Sequence, residues 1–217
     1  MANLEKSGFR MDDDHSWRCK PGYKIFVADR GAVRFDFPED WVVVGDAEGI
    51  KLHDKPPPDD NCRIQLSVFH LPPVVDWGKL SLAAMLAEAL DARGQGPDQE
   101  AAAKVDRLRG KGGLLARGRE REREEAHEIL GRDPISHVLR PGLEIVWTEV
   151  RWVDPGEQRE ARTRHLVARA NHVQPFITMD FWPEDAPRFT KVWRELVRTL
   201  RVGEYVADPR KGPQPRQ

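Results

Sequence analysis

Cysteine, net charge, long apolar runs and catalytic signatures are all scarce in this sequence, and each scarcity closes off a class. Two cysteines, Cys19 and Cys62, in 217 residues make neither a disulfide framework nor a CxxC metal pair. No apolar run approaches the ~20 residues that a membrane-spanning helix needs. Lys+Arg 35 against Asp+Glu 36 leaves a net charge of −1, so no global field draws the chain to nucleic acid or lipid. No GxSxG, HExxH or P-loop pattern occurs. His53, His70, His127, His137, His165 and His172 are scattered, with no HxH or HxxxH pair. Asp12-Asp13-Asp14-His15 with Cys19 offers ligands close in sequence, but a structural zinc site needs four in a closed tetrahedron and the second pair is missing. No metal, cofactor or enzymatic activity is expected. The first twenty residues carry three consecutive aspartates and no apolar core of a signal peptide. That predicts a cytoplasmic location with reduced cysteines. Arginine exceeds lysine 25 to 10, which reads as a GC-rich bacterial genome.

What is present is a strand-rich chain with a heavily charged surface, 33% DEKR against 39% AVILMFWYC. The length fits one domain, predicted over 21–206, with flexible tails at 1–20 and 207–217. Val33, Phe35 and Phe37 alternate with Arg34 and Asp36, which is the period of a half-buried strand. Pro38-Glu39-Asp40 interrupts, and Trp41 to Val44 resumes. Ile50 and Leu52 make a short strand before the Pro56-Pro57-Pro58 loop, and Ile64, Leu66 and Val68 mark another that carries Cys62 inward. Leu82, Met85, Leu86, Ala89 and Leu90 then repeat at helical spacing, with Asp76 or Ser81 as N-cap. The stretch 95–125 is a charged insertion, with eight Lys/Arg against five Asp/Glu between Lys104 and Glu125 and little to bury.

From Ala126 the strands return as a meander. Pro141-Gly142 is a turn, and Asp154-Pro155-Gly156-Glu157 is a second. A two-residue loop there sets Glu149 opposite Arg162, Arg151 opposite Glu160 and Trp147 opposite Arg164 on one face. Val146, Val150 and Trp152 meet His165, Ala161 and Arg159 on the other. Opposite-charge cross-strand pairs contribute roughly 0.2–1 kcal/mol each. In the third strand, 172–182, a tight turn at Ala170-Asn171 puts Ile177, Met179 and Phe181 on the charged face. A bulge at Pro175 would move them off it, and helices covering both faces would remove the conflict. Phe189, Val192, Trp193, Leu196, Val197 and Leu200 form the apolar stripe of a final helix, with Pro187 in its first turn.

The order of elements, with Phe35-x-Phe37-Pro38-x-x-Trp41 opening the second strand and the meander feeding a long C-terminal helix, resembles the PsbP/Mog-like superfamily. The resemblance implies an α+β fold: an antiparallel sheet of about six to seven strands flanked by helices, an α/β/α sandwich. Its members mostly bind rather than catalyse. They include photosystem-associated extrinsic proteins, a Ran-GTPase-binding factor, bacterial lipoproteins and cytosolic chaperones of type VI secretion effectors. The expected role is therefore a non-catalytic protein-binding module, an adaptor or chaperone for a secreted or membrane-associated client.

The candidate binding residues are Trp147, Arg151, Arg162 and Arg164, since aromatics with arginines make binding hot spots and Trp147 facing Arg164 permits a cation–π contact. The competing reading is that a helix covers this face and the charges line its rim. A second function uses the same arginines for a small molecule or anion. A third is nucleic-acid binding through the Arg-rich insertion, but Glu120, Glu122, Glu124 and Glu125 interleave with its cations and no aromatic stacks among them. An open strand edge would also let two copies pair as a homodimer. If the face is a surface, Trp147→Ala and Arg164→Ala weaken partner capture and leave the melting temperature unchanged; a large drop in melting temperature identifies it as core.

Overall fold

Both the period-2 segments and the two helical stripes find their elements in the computed structural model, which describes residues 12, 14–46, 49–74, 76–94 and 128–213. The charged insertion expected over 95–125 lies outside the described residues. Strands are β1 (Tyr23–Ala28), β2 (Val33–Pro38), β3 (Val42–Asp46), β4 (Gly49–His53), β5 (Cys62–His70), β6 (Ile129–Arg132), β7 (Ser136–Arg140), β8 (Leu143–Asp154), β9 (Arg159–Arg169), β10 (Val173–Phe181) and β11 (Arg201–Val202). The helices are α1 (Leu82–Gly94) and α2 (Ala186–Thr199). Instead of one sheet of six or seven strands, two antiparallel sheets form. Eight strands run in the order β3-β4-β5-β10-β9-β8-β6 with β7 also on β8, and three in the order β1-β2-β11.

Each face of the large sheet has its own cover. Ile64, Leu66, Ile145, Leu166, Ile177 and Met179 pack with Phe189, Trp193 and Leu196 of α2 and with Val33, Phe35 and Phe37 of β2. Val146 and Val167, on the opposite face, pack with Leu82 and Leu86 of α1. The result is an α/β/α arrangement in which the small sheet shares the layer of α2. Ser81 caps α1, its Oγ accepting from the Ala84 N–H at 3.2 Å. Asp54 ties the proline loop to α2: one oxygen accepts from the Asn61 and Cys62 N–H groups at 2.7 and 2.9 Å, and the other pairs with Arg188 at 3.1 Å.

The covered faces settle the third strand of the meander. Asn171 and His172 take positive φ (46° and 62°) in the tight turn before β10, and pairing with β5 runs unbroken through Pro175 opposite Val68. Ile177, Met179 and Phe181 therefore stand opposite Leu166, Arg164 and Arg162. They share the face of the charged residues, and that face is the main core.

The tails need correction. Trp17, assigned to a flexible segment, is 4% exposed, and its indole N–H donates to the Pro209 carbonyl at 2.7 Å. The Ser16 N–H donates to the Lys211 carbonyl at 2.8 Å. Segments 14–20 and 207–213 thus lie side by side. One buried indole supplies the apolar area that the polar composition of both segments hides. Gly212, at φ 82°, has no room for a side chain, since a Cβ there would come within 2.9 Å of the Trp17 ring.

Cys62 is 1% exposed, and burial pushes its thiol well above the usual range, with Asp54 and Asp180 acting in the same sense and Arg188 and Arg164 against them. Cys19 is exposed. Iodoacetamide on the native protein should add one adduct by intact mass, at Cys19, and two after denaturation; two adducts under native conditions would contradict the packing of β5.

Candidate functional site

The four residues singled out from the sequence separate into interior and rim. Strands β8 and β9 do pair as a hairpin, but two residues further along than a two-residue loop allows. Asp154 faces Arg159, and Pro155 to Gln158 form a four-residue loop. The Asp154 side chain makes that loop, its Oδ1 accepting from the N–H groups of Gly156 (2.9 Å) and Glu157 (2.8 Å). Gln158 takes φ 53°, and its N–H donates to the Asp154 carbonyl at 2.7 Å. A shift of two residues keeps every side chain on its predicted face and changes every partner. Glu149 faces Arg164, Arg151 faces Arg162, Trp147 faces Leu166 and Trp152 faces Ala161.

Arg164 is an interior residue, 6% exposed. Its Nε donates to Glu149 Oε2 at 2.8 Å and its Nη2 to Thr190 Oγ1 of α2 at 2.8 Å. The third nitrogen, Nη1, has no hydrogen-bond partner, but the guanidinium lies 4.9 Å from the Phe181 ring, 5.8 Å from Trp193 and 6.0 Å from Trp147. Aromatic faces thus take the place of an acceptor. Trp147 meets Trp193 edge-to-face at 5.6 Å. The expected cation–π contact of Arg164 with Trp147 is not on an open surface, because α2 buries Arg164 and its Trp193 packs on the partly buried Trp147. Arg162 lies half-buried at the rim, shared between Glu149 (3.3 Å) and Glu160 (3.1 Å). Arg151 is exposed and its guanidinium lies across Gly131, where a Cβ would sit 2.6 Å from Nη2.

The open features lie elsewhere. A cleft of about 590 Å³ is lined by Leu71, Pro73, Val74, Trp77, Arg169 and His172 among others, a size within the range of ligand pockets. Val74 is 90% exposed, and Phe69, Leu80 and Leu139 are exposed as well. Leu139 on β7 and Phe69 on β5 stand apart from the cleft and from each other, with β8, β9 and β10 between them. Arg169 is held by Glu144 Oε2 at 3.2 Å and by the Leu80 carbonyl at 2.8 Å. Trp77 is fixed by its indole N–H on the Pro72 carbonyl, 2.8 Å away. Sequence reasoning missed this cleft because its residues come from a loop and two strand ends. Val74 and Trp77, large apolar residues between prolines and a helix cap, were the available signal.

Catalytic chemistry has one arrangement to consider. His70 Nε2 lies 2.6 Å from Asp29 Oδ2, and the Tyr205 hydroxyl lies 3.3 Å from His70 Nδ1. A carboxylate orienting an imidazole against a hydroxyl is the geometry of an activated nucleophile. Here all three groups are about half exposed, so water competes for each of them. Among the described residues no group of three or more His, Cys, Asp or Glu could hold a metal ion, and no helix is long and apolar enough to cross a membrane.

Comparison with known proteins agrees with the fold. A family model described as Alr1449 matches residues 24–109 and 118–206. An uncharacterized protein, alr1449 of Nostoc sp. (strain PCC 7120), is 31% identical over 214 residues, covering 97% of this chain and 94% of its own length. Among solved structures, that of the cyanobacterial PsbP protein CyanoP from Synechocystis sp. PCC 6803 superposes with a TM-score of 0.54 at 9% identity, covering 86% of this chain and 98% of that one. The PsbP-like fold expected from the sequence is thereby shown.

Removing one partner of a buried ion pair typically costs ~3–5 kcal/mol, because the other charge is left uncompensated. Arg164→Ala should therefore lower stability to urea by about that amount, while Arg151→Ala should stay within ~0.5 kcal/mol of wild type. Equal midpoints for the two variants would refute the assignment of Arg164 to the interior.

Proposed function

The chain belongs to the Alr1449 family, and from that membership and its surface we propose that it is a non-catalytic protein-binding module, an adaptor or chaperone for a secreted or membrane-associated client. The cleft beside Val74 and Trp77 carries this reading. Most large apolar side chains among the described residues are interior, yet Val74 in the cleft wall is 90% exposed, and Leu80, whose carbonyl holds the lining Arg169, is exposed as well. Exposed apolar groups clustered in this way mark interaction sites. A tryptophan already fixed by its own hydrogen bond gives contact area at little further entropy cost.

The occupant proposed is an extended segment of the client. Its apolar side chains would cover Val74 and Leu80 and pack on the Trp77 ring. The neighbouring charges, Arg169 with Glu144 and Lys79 with Asp76 at 3.2 Å, are already paired. They provide a neutral rim that neither steers nor rejects a charged partner. The fold of the family's PsbP-like neighbour is compatible with such a role but does not specify it. A cytoplasmic location and a homodimer belong to the same proposal.

The test is affinity capture from the native lysate, with and without nuclease, by wild type and by a Val74→Glu/Trp77→Ala double variant. One dominant protein at near-stoichiometric yield, indifferent to nuclease and lost with the variant, is the expected result. Both substitutions are at a loop outside the core, so the melting temperature should stay within a few degrees. A partner retained by the variant would overturn the assignment to this cleft, and a partner lost on nuclease treatment would transfer the function to nucleic acid.

A further inference from the structure

A second cleft, of about 290 Å³, forms where the segment 14–20, β2, the end of α2 and β11 converge; it is lined by Arg18, Lys20, Arg34, Asp36, Arg198 and Arg201 among others. We propose that this cleft binds a phosphate dianion. The inference is independent of the client-binding cleft and of the arginines on β8 and β9.

Charge is the first argument. Five cations line a space together with one buried carboxylate, Asp36, and a second carboxylate, Glu195, pairs with two of the five. Glu195 accepts from Arg198 at 2.6 and 3.0 Å and pairs with Lys20 at 3.1 Å. Arg201 donates to the Leu200 carbonyl at 3.2 Å, and its nearest carboxylate, Glu204, stands 3.9 Å away. The surplus is felt behind the cleft, where the guanidinium of Arg140 is made more acidic by burial and then by Arg201 and Arg198. Cations near the end of a helix often serve its carbonyls. Arg140, which donates to the Val197 and Leu200 carbonyls, does most of that task and shares the Leu200 carbonyl with Arg201.

Unfilled hydrogen-bonding capacity is the second argument. Arg34 Nε is buried with no partner, and so is Asp36 Oδ1; the nearest charge to that oxygen is Arg34 Nη2 at 3.6 Å. The Asp36 side chain is 3% exposed, and its position is set by its own N–H, which donates to Thr199 Oγ1 at 2.9 Å. Buried polar atoms normally find partners. The cations approach from four separate elements, which suits a tetrahedral anion better than a planar carboxylate.

Asp36 supplies the chemistry that admits a dianion. Burial raises its proton affinity and Glu195 adds to this, against Arg34, Arg198 and Lys20. An entering dianion raises it further. Asp36 then takes a proton from solvent, and the carboxyl O–H donates to a phosphate oxygen. Asp36 takes up one proton per dianion bound, offset in part by the proton that phosphate monoanion releases as it binds in the dianionic form.

Isothermal titration with sodium phosphate at pH 7.5, against sodium chloride at equal ionic strength, tests this. Phosphate should bind saturably and raise the melting temperature as ligand linkage requires. Repeating the titration in buffers of different ionisation enthalpy should show proton uptake. Arg198→Gln/Arg201→Gln, two partly exposed positions, should weaken binding at least tenfold without unfolding the protein. Asp36→Asn keeps the shape and removes the charge, so it should tighten binding and abolish the proton uptake. Stabilisation by phosphate no greater than by chloride would overturn the proposal, as would unchanged affinity in both variants.

Discussion

The pairing of Glu149 with Arg164 is the constraint on which the rest of this fold depends. Both charges sit between the large sheet and α2, and withdrawing each from water costs several kcal/mol even after relaxation. That cost is offset only when the two stand directly opposite, which happens in a single register of β8 and β9. The same guanidinium donates to Thr190 and lies among Phe181, Trp193 and Trp147. It therefore ties the hairpin, the third meander strand and the covering helix to one geometry. An apolar residue in its place could pack, but it would tolerate neighbouring registers.

Much of the architecture was legible in the sequence, because alternation and helical stripes report burial directly. Ile64, Leu66 and Val68, or Phe189, Val192 and Trp193, identify their elements with no outside information. The PsbP-like order of elements follows from the same signals. The hairpin register was not legible. The loop depends on the Asp154 carboxylate accepting two N–H groups, which makes a four-residue loop out of a motif that reads equally well as a two-residue turn. The burial of the charged face was legible as one of two readings, a helix covering it with the charges at its rim, and the structure bears that reading out. Glu149, Arg162 and Arg164 have the alternation of a solvent face, and it is the cage of rings around Arg164 that marks the centre of that face as interior. Asp36 misleads in the same way: it alternates outward in β2, yet Trp17 and the end of α2 close over that side. The number of strands was underestimated because β6 and β11 are short and β7 carries its two apolar residues, Val138 and Leu139, side by side and not in alternation.

With its centre sealed, the protein has its open chemistry at the periphery. The Trp77 cleft is built from a loop and strand ends on the side of α1, and the cationic cleft from segment 14–20, β2, β11 and the last turn of α2. Neither disturbs the core, so contacts at either place can vary among family members while the fold is kept. Such separation of scaffold from contact surface is how one architecture serves unrelated partners. It also explains why Arg151 and Arg162, at the rim of the core, are occupied with neighbouring carboxylates or strand backbone.

The side-by-side segments at 14–20 and 207–213 have a mechanical consequence. Force applied across residues 14 and 213 loads the contacts of Ser16 and Trp17 with Pro209 and Lys211 one bond after another. The next elements in line, β1 and β11, both border β2 in the small sheet. Tension is thus spent in peeling the clasp and the three-stranded sheet before it reaches the eight-stranded one. A protein attached at its ends, to a tether or to a translocating neighbour, would yield at the cationic cleft while its main core stayed folded.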